Sequence, residues 1–112
     1  MITDLAVYQK TYDLYLYTYK FIKKFPKAER FLISQVLQSS LIEAIKLMVR
    51  ANQQRDQSKR RQHQDGIEEW LTVYLTALRL AHDLNFLPKR KYAYASSLVA
   101  EILKILAGWK KV

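Results

Sequence analysis

Residues 19–31 read YKFIKKFPKAERF, a single proline at position 26 among five cations. On both sides of it, apolar residues recur three and four apart, the spacing of one face of a helix. The chain holds only two Pro and two Gly in 112 residues, so Pro26 marks one of the few places where it turns. A break between two helical patterns is a corner. Pro26 suits the first turn of the helix that follows, where its missing N–H costs no hydrogen bond. Lys20, Lys23 and Lys24 close the preceding helix, where cations gain about 0.3–1 kcal/mol from its negative end. Whether they also grip a polyanion is a separate question.

Working outward, four segments show helical seams. The first places Leu5, Tyr8, Tyr12, Tyr15, Tyr19 and Ile22 on one face, and the second Ile33, Leu37, Ser40, Ala44, Leu47 and Ala51. The third gives Ile67, Leu71, Tyr74, Leu78 and Ala81; the fourth gives Tyr92, Ala95, Val99, Ile102, Leu106 and Trp109. Thr3 is expected to cap the first helix with Asp4 near its positive end. Asp65 followed by Glu68 resembles a capping box opening the third helix. Asn85 suits a left-handed helix end, and Pro88 the start of the fourth helix. These signals predict an all-α, antiparallel up-down-up-down four-helix bundle, with helices near 3–24, 26–54, 65–84 and 88–110 in one domain over 1–112. The run NQQRDQSKRRQHQ at 52–64 has no apolar residue to pack. It is expected as a mobile loop or a solvated extension of the second helix.

Composition fits this fold. Half of the residues are hydrophobic and 12% are aromatic, enough for a packed core. Too few turn-forming clusters occur for a sheet. With no cysteine, disulfides and thiolate metal sites are excluded. The N-terminus lacks the charge-then-apolar order of a secretion signal. The best membrane candidate, SLVAEILKILAGW, is short and interrupted by Glu101 and Lys104. A cytoplasmic protein with no membrane association is expected.

The net charge of +9 favours anionic partners. It is unevenly placed: residues 20–30 and 50–64 each net +4, while 89–91 and 104–112 each add +3. The helix bodies are therefore slightly acidic. Corners one and three share an end of the bundle, which puts Lys23, Lys24 and Lys27 beside Lys89, Arg90 and Lys91. Arg50, Arg55, Lys59, Arg60 and Arg61 gather at the other end with Lys110 and Lys111. Helix-end charge and solubility account for any one lysine. They do not account for Arg55, Lys59, Arg60 and Arg61 in a polar segment, where phosphate contact competes evenly with simple solvation.

Catalytic patterns fail. Glu43 and Glu101 are each followed three residues later by lysine, not by the histidine of a di-iron bundle. His63 and His82 are isolated, which gives no metal set. Gly66 and Gly108 form no phosphate loop. Arg79 and His82 match a four-helix ribonuclease pattern only weakly, and His82 beside Asp83 fits a structural histidine better than an acid–base pair. No cofactor and no small-molecule substrate is expected. The tyrosine stripe Tyr8, Tyr12, Tyr15 and Tyr19 is expected as core and interface; Tyr17 lies off that seam, and base stacking is the weaker reading of it. Leu14, Leu16, Phe21, Phe31, Leu32, Trp70 and Leu75 lie beside the seams, an apolar excess that suggests self-association.

Lys24-Phe25-Pro26-Lys27, then Arg30-Phe31, then Leu41, Leu47, Val49, Arg50 and Ala51, resemble the first helical hairpin of the Avd proteins, the accessory variability determinants of diversity-generating retroelements. Leu80-Ala81-His82-Asp83-Leu84, Tyr92, Ala95 and Ile105-Leu106-Ala107-Gly108-Trp109 are similar to their second half, in the same order. A sister group, encoded in intervening sequences of 23S ribosomal RNA genes, shares the Phe-Pro corner but carries a Ser-Ile-Pro stretch in helix two. Here Ser39-Ser40-Leu41-Ile42-Glu43-Ala44 has no proline, which favours Avd. The resemblance implies a non-enzymatic homopentamer that binds RNA, and DNA as cDNA, through basic surface and associates with a reverse transcriptase during mutagenic copying. A scaffold of the intervening-sequence type, acting through protein or ribosomal RNA, is the alternative. Replacing Arg55, Lys59, Arg60 and Arg61 with glutamine is expected to weaken RNA binding without lowering the melting temperature.

Overall fold

The structure is a computed structural model that describes residue 2 and residues 5–112, the side chains at positions 29 and 30 excepted. Four helices follow in order: α1 (Ala6–Ile22), α2 (Lys27–Gln53), α3 (Gln57–Asp83) and α4 (Lys89–Lys110). Each packs against the two beside it and none against the one diagonally opposite, among the described residues. This is an antiparallel four-helix bundle, 44 × 22 × 21 Å.

The corners have local causes. At corner one, Phe25 N–H donates to the carbonyl of Ile22, and Pro26 precedes α2 in extended conformation. Corner three closes in a left-handed turn: Asn85 has φ 66°, its N–H donates to His82, and Phe86 N–H donates to Ala81. That pair of bonds satisfies carbonyls that a helix end leaves orphaned. Phe25 and Phe86 pack at 6.0 Å, so corners one and three do share an end.

Corner two corrects the expectation for 52–64. Only residues 54–56 turn, and 57–64 form the first two turns of α3, not an extension of α2. The cap is Asp56, whose carboxylate accepts from Lys59 N–H at 2.9 Å. Asp65 therefore lies inside the helix and caps nothing. The physical reason is that polar residues continue the seam: half-buried Arg60 and buried Gln64 precede Ile67 and Leu71 in steps of four, three and four. The expected Thr3 cap and Asp4 lie outside the described residues; α1 begins at Ala6, with Leu5 as N-cap and no side-chain cap bond.

The α1 seam is also corrected. The buried face is Val7, Thr11, Leu14, Thr18 and Phe21, one residue out of step with the tyrosine stripe. Tyr8 and Tyr15 are half-buried, while Tyr12 and Tyr19 are exposed. Threonine fits the seam because its hydroxyl is satisfied by its own helix: Thr11 donates to Val7 O and Thr18 to Leu14 O, both at 2.8 Å. Of the stripe, Tyr15 accepts from the Gln38 side chain with its hydroxyl at 3.5 Å. Leu14 and Phe21 belong to the core, not to an apolar excess. In α3 the seam is as expected, with Ile67, Leu71, Tyr74, Leu78 and Ala81 fully buried.

The α2–α3 pair is the tightest in the bundle. A Cβ on Gly66 would stand 2.7 Å from Leu47 Cδ1, so the absence of a side chain lets the helices approach. Within α2, Phe31–Gln53 is, among the described residues, the stretch long and apolar enough to cross a membrane; SLVAEILKILAGW, rejected from sequence, is not. The α2 face formed by Leu37, Leu41, Ala44 and Met48 is fully buried against the other helices.

Candidate nucleic-acid interface

The two basic ends differ in what their cations do. At the tip of the α2–α3 hairpin, Arg60 donates from Nε and Nη2 to Gln54 O at 3.1 and 2.9 Å. Gln54 is the C-cap of α2. Arg61 Nη2 donates to Lys110 O, in the last turn of α4, at 2.7 Å. Both guanidinium groups thus sit at the negative ends of helices, satisfying carbonyls without intrahelical partners. Lys110 Nζ is held by Asp65 at 3.0 Å and Glu68 at 2.7 Å, which ties α4 to α3. The hydrogen bond to Glu68 raises the Lys110 pKa above the ordinary lysine value. Arg50, Arg55 and Lys59 are exposed, and among the described residues their side chains make no hydrogen bond or ion pair. The expected quartet therefore divides: Arg55 and Lys59 present charge outward, whereas Arg60 and Arg61 hold the fold.

At the Phe-Pro end, Lys23, Lys24, Lys27, Lys89 and Arg90 are exposed and Lys91 is half-exposed. Lys23 Nζ lies 4.5 Å from the centre of the Tyr19 ring, a cation–π contact. Helix α4 opens here on Pro88 with no side-chain cap and no acid in its first turn. The first backbone N–H to find a carbonyl of its own helix end is Tyr92, which donates to Pro88. Three cations therefore stand at the positive end of a helix, the reverse of what the dipole favours. Partial burial, and then the neighbouring Lys24 ammonium, hold Lys91 below the ordinary lysine pKa. Like charges brought together at a helix start whose first turn holds no acid are relieved by an incoming anion. This end joins α1, the corner ahead of α2, and α4 into one basic surface.

Aromatic groups border it. Tyr94 is 52% exposed and meets Tyr17 edge-on, centroids 4.9 Å apart at 73°. Tyr17 is itself half-buried, and burial raises its pKa. It supports Tyr94 and is not a free platform for a base. Apolar periodicity marks the seam residue Tyr92 and not Tyr94. The signal for Tyr94 was the four-residue spacing from Arg90, which sets both on one helix face.

The residues considered for catalysis are engaged otherwise. His82 stacks on Tyr92 at 4.7 Å and 18°, and Arg79 Nε lies 3.7 Å from Asp83 Oδ2. Among the described residues no group of three or more His, Asp or Glu is placed to hold a metal ion.

A third surface is apolar. Leu32, Ile33, Val36, Val73, Thr76, Ala77 and Leu80 line a trough of about 330 Å³ between α2 and α3. Leu32 in this lining and its neighbour Phe31 are 67% and 72% exposed, far more than packing within one bundle requires.

Comparison with curated proteins finds no match. The sequence model of the bAvd-like family, in contrast, matches residues 5–112, which takes in all four helices and both basic ends. The chain belongs to the bAvd-like family, the accessory proteins of diversity-generating retroelements that its residues resemble.

Proposed function

We propose that this protein is a non-catalytic, self-associating partner of a retroelement reverse transcriptase, and that it holds the element's RNA and cDNA on its basic ends during mutagenic copying and retrohoming. The observation that carries this reading is the basic surface at the Phe-Pro end, where Lys24, Lys91, Arg90 and Lys89 meet at a helix N-terminus without an acid in the first turn. Such a surface stabilises phosphate twice, through cations and through unsatisfied backbone N–H groups. At the hairpin tip, Arg50, Arg55 and Lys59 supply a second set of outward cations. The bodies of the helices are slightly acidic, so a polyanion is steered to the ends. The apolar trough supports assembly of several copies, which multiplies weak basic sites into one multivalent surface; the family resemblance leads us to expect five.

Binding of this kind releases counterions and falls steeply with salt. A fluorescence-anisotropy titration of the retroelement's template RNA, repeated across low to physiological salt, tests it. A linear fall of log affinity with log salt is expected. An affinity that stays flat, or no binding at low salt, overturns the nucleic-acid role. Co-purification with the reverse transcriptase tests the second partner.

A further inference from the structure

We infer that Tyr94 is a stacking platform for an unpaired base, so that the Phe-Pro end takes single-stranded rather than duplex nucleic acid; this rests on the nucleic-acid role proposed above. The sequence KRKYAY puts Arg90 and Lys91 four and three residues ahead of Tyr94. On a helix these positions share a face, about one 5.4 Å turn apart. Tyr92, two residues away, turns elsewhere and stacks on His82. Tyr94 therefore stands alone on the basic face, half of its surface open.

The ring is held in place. Tyr17 of α1 meets it edge-on at 4.9 Å, and Tyr17 in turn packs edge-on with Phe21 at 5.5 Å and 72°. A fixed exposed ring loses little entropy when a base settles on it. Phosphate contact and base contact are then one helical turn apart, within the span from the backbone of a nucleotide to its base. Farther along the same face, Glu101 is occupied by Lys10 at 2.9 Å, so it does not repel the strand. A duplex keeps its bases stacked inside and offers no free face to a single ring, whereas an unpaired strand does. Burial at the rim of the α1–α4 contact would explain a half-covered tyrosine. It does not explain one set a turn from two cations in an acid-free stretch.

The test uses a short fluorescein-labelled single-stranded RNA, the same RNA as a duplex, and the full-length protein. Tyr94→Leu is expected to weaken single-strand binding by about tenfold, the scale of one lost stacking contact. Tyr94→Phe, which keeps the ring, retains the affinity, and duplex binding is unaffected by either change. Because no phosphate contact is lost, the salt slope of Tyr94→Leu stays that of the parent; Arg90→Gln lowers it by about 0.7. Circular dichroism checks that each variant is folded. If Tyr94→Leu binds the single strand as the parent does, or loses single strand and duplex alike, the stacking inference is wrong. If Arg90→Gln weakens binding in that same experiment, the nucleic-acid role survives without it. If the parent binds neither RNA, both fall together. Loss of reverse-transcriptase association by Tyr94→Leu with unchanged RNA affinity also overturns the inference, since it makes the ring a protein contact.

Discussion

Arg60 closes the end of α2 by sending two guanidinium N–H groups to the carbonyl of Gln54, at 3.1 and 2.9 Å. The two residues flank the turn that joins α2 to α3, so the bond locks the hairpin at its tip. A charge-assisted hydrogen bond contributes about 1.5–3 kcal/mol, less where water competes. Arg60→Gln is therefore expected to destabilise the fold by about 1–2 kcal/mol, and Arg61→Gln by about 1 kcal/mol through loss of the Lys110 carbonyl. Arg55→Gln and Lys59→Gln, both exposed, are expected to leave stability unchanged. Urea denaturation of the four single variants checks this. Equal midpoints for all four would refute the capping role. Replacing the four together is expected to lower the melting temperature, contrary to what the sequence suggested, so only Arg55 and Lys59 give a clean binding test.

Thr18 and Tyr74 meet in the core with their hydroxyl oxygens 2.7 Å apart. Thr18 already donates to Leu14 O, so in this pair it accepts and Tyr74 donates. Burial raises the Tyr74 pKa far above the ordinary tyrosine value, so the hydroxyl stays protonated and remains a donor. Thr18→Val leaves that donor buried without a partner, at a cost of about 1–3 kcal/mol. Tyr74→Phe leaves Thr18 bonded to its own helix and costs about 1 kcal/mol. The double variant is expected to lose less than the two losses together, by at least 0.5 kcal/mol on the scale of coupled neighbours. A double-mutant cycle with additive losses would show that the pair is not coupled.

How much of this was legible in the sequence depends on contrast between stripes. In α3, Ile67, Leu71, Tyr74, Leu78 and Ala81 recur at one regular spacing and all five are buried, with Gln64 and Ala77 joining them unread. In α1, aromatic and aliphatic residues fill two stripes one residue apart, and the buried one contains Thr11 and Thr18. A threonine bonded to its own backbone is apolar in effect, which periodicity of residue type does not register. The same limit hid the first turns of α3: no scan of apolar spacing shows that Arg61 will meet a carbonyl 49 positions away. For the basic surface, the grouping of Lys24 with Lys91 followed from topology, but the division of the tip cations into outward and fold-holding sets rests on hydrogen bonds to backbone carbonyls that residue type does not display.

Lys110 adds a pH-dependent tie between α4 and α3. Its pKa is raised by Glu68 and Asp65, so its protonated form is favoured by folding. That stabilisation is complete below the unfolded lysine value and disappears as pH rises through the folded one. Lys110→Met is expected to cost about 0.5–1 kcal/mol near pH 8, the range of exposed ion pairs. The gap between parent and variant should narrow as pH approaches about 11. Thermal melts at both pH values measure it. A gap that widens with pH would contradict the sign of the shift.

The trough between α2 and α3 carries the last prediction. Four-helix packing places α1 diagonally across from α3, so the trough and the exposed Tyr12–Tyr19 stripe lie on different sides of the bundle. A contact between two unlike patches is heterologous, and it closes into a ring or propagates as a filament. Leu32→Glu sets a charge at the mouth of the trough, on a residue already 67% exposed, so the fold itself loses within about 0.5 kcal/mol. Light scattering should then report single chains in place of the assembly proposed for the parent. Ile42→Glu is the control: it is exposed on α2 but does not line the trough, and it should leave the assembly intact. Dispersal by both variants would point to added charge rather than to the trough. Dispersal by neither would place the interface elsewhere. In the expected case, the single chains should bind RNA with the salt slope of one basic surface, well below that of the assembly.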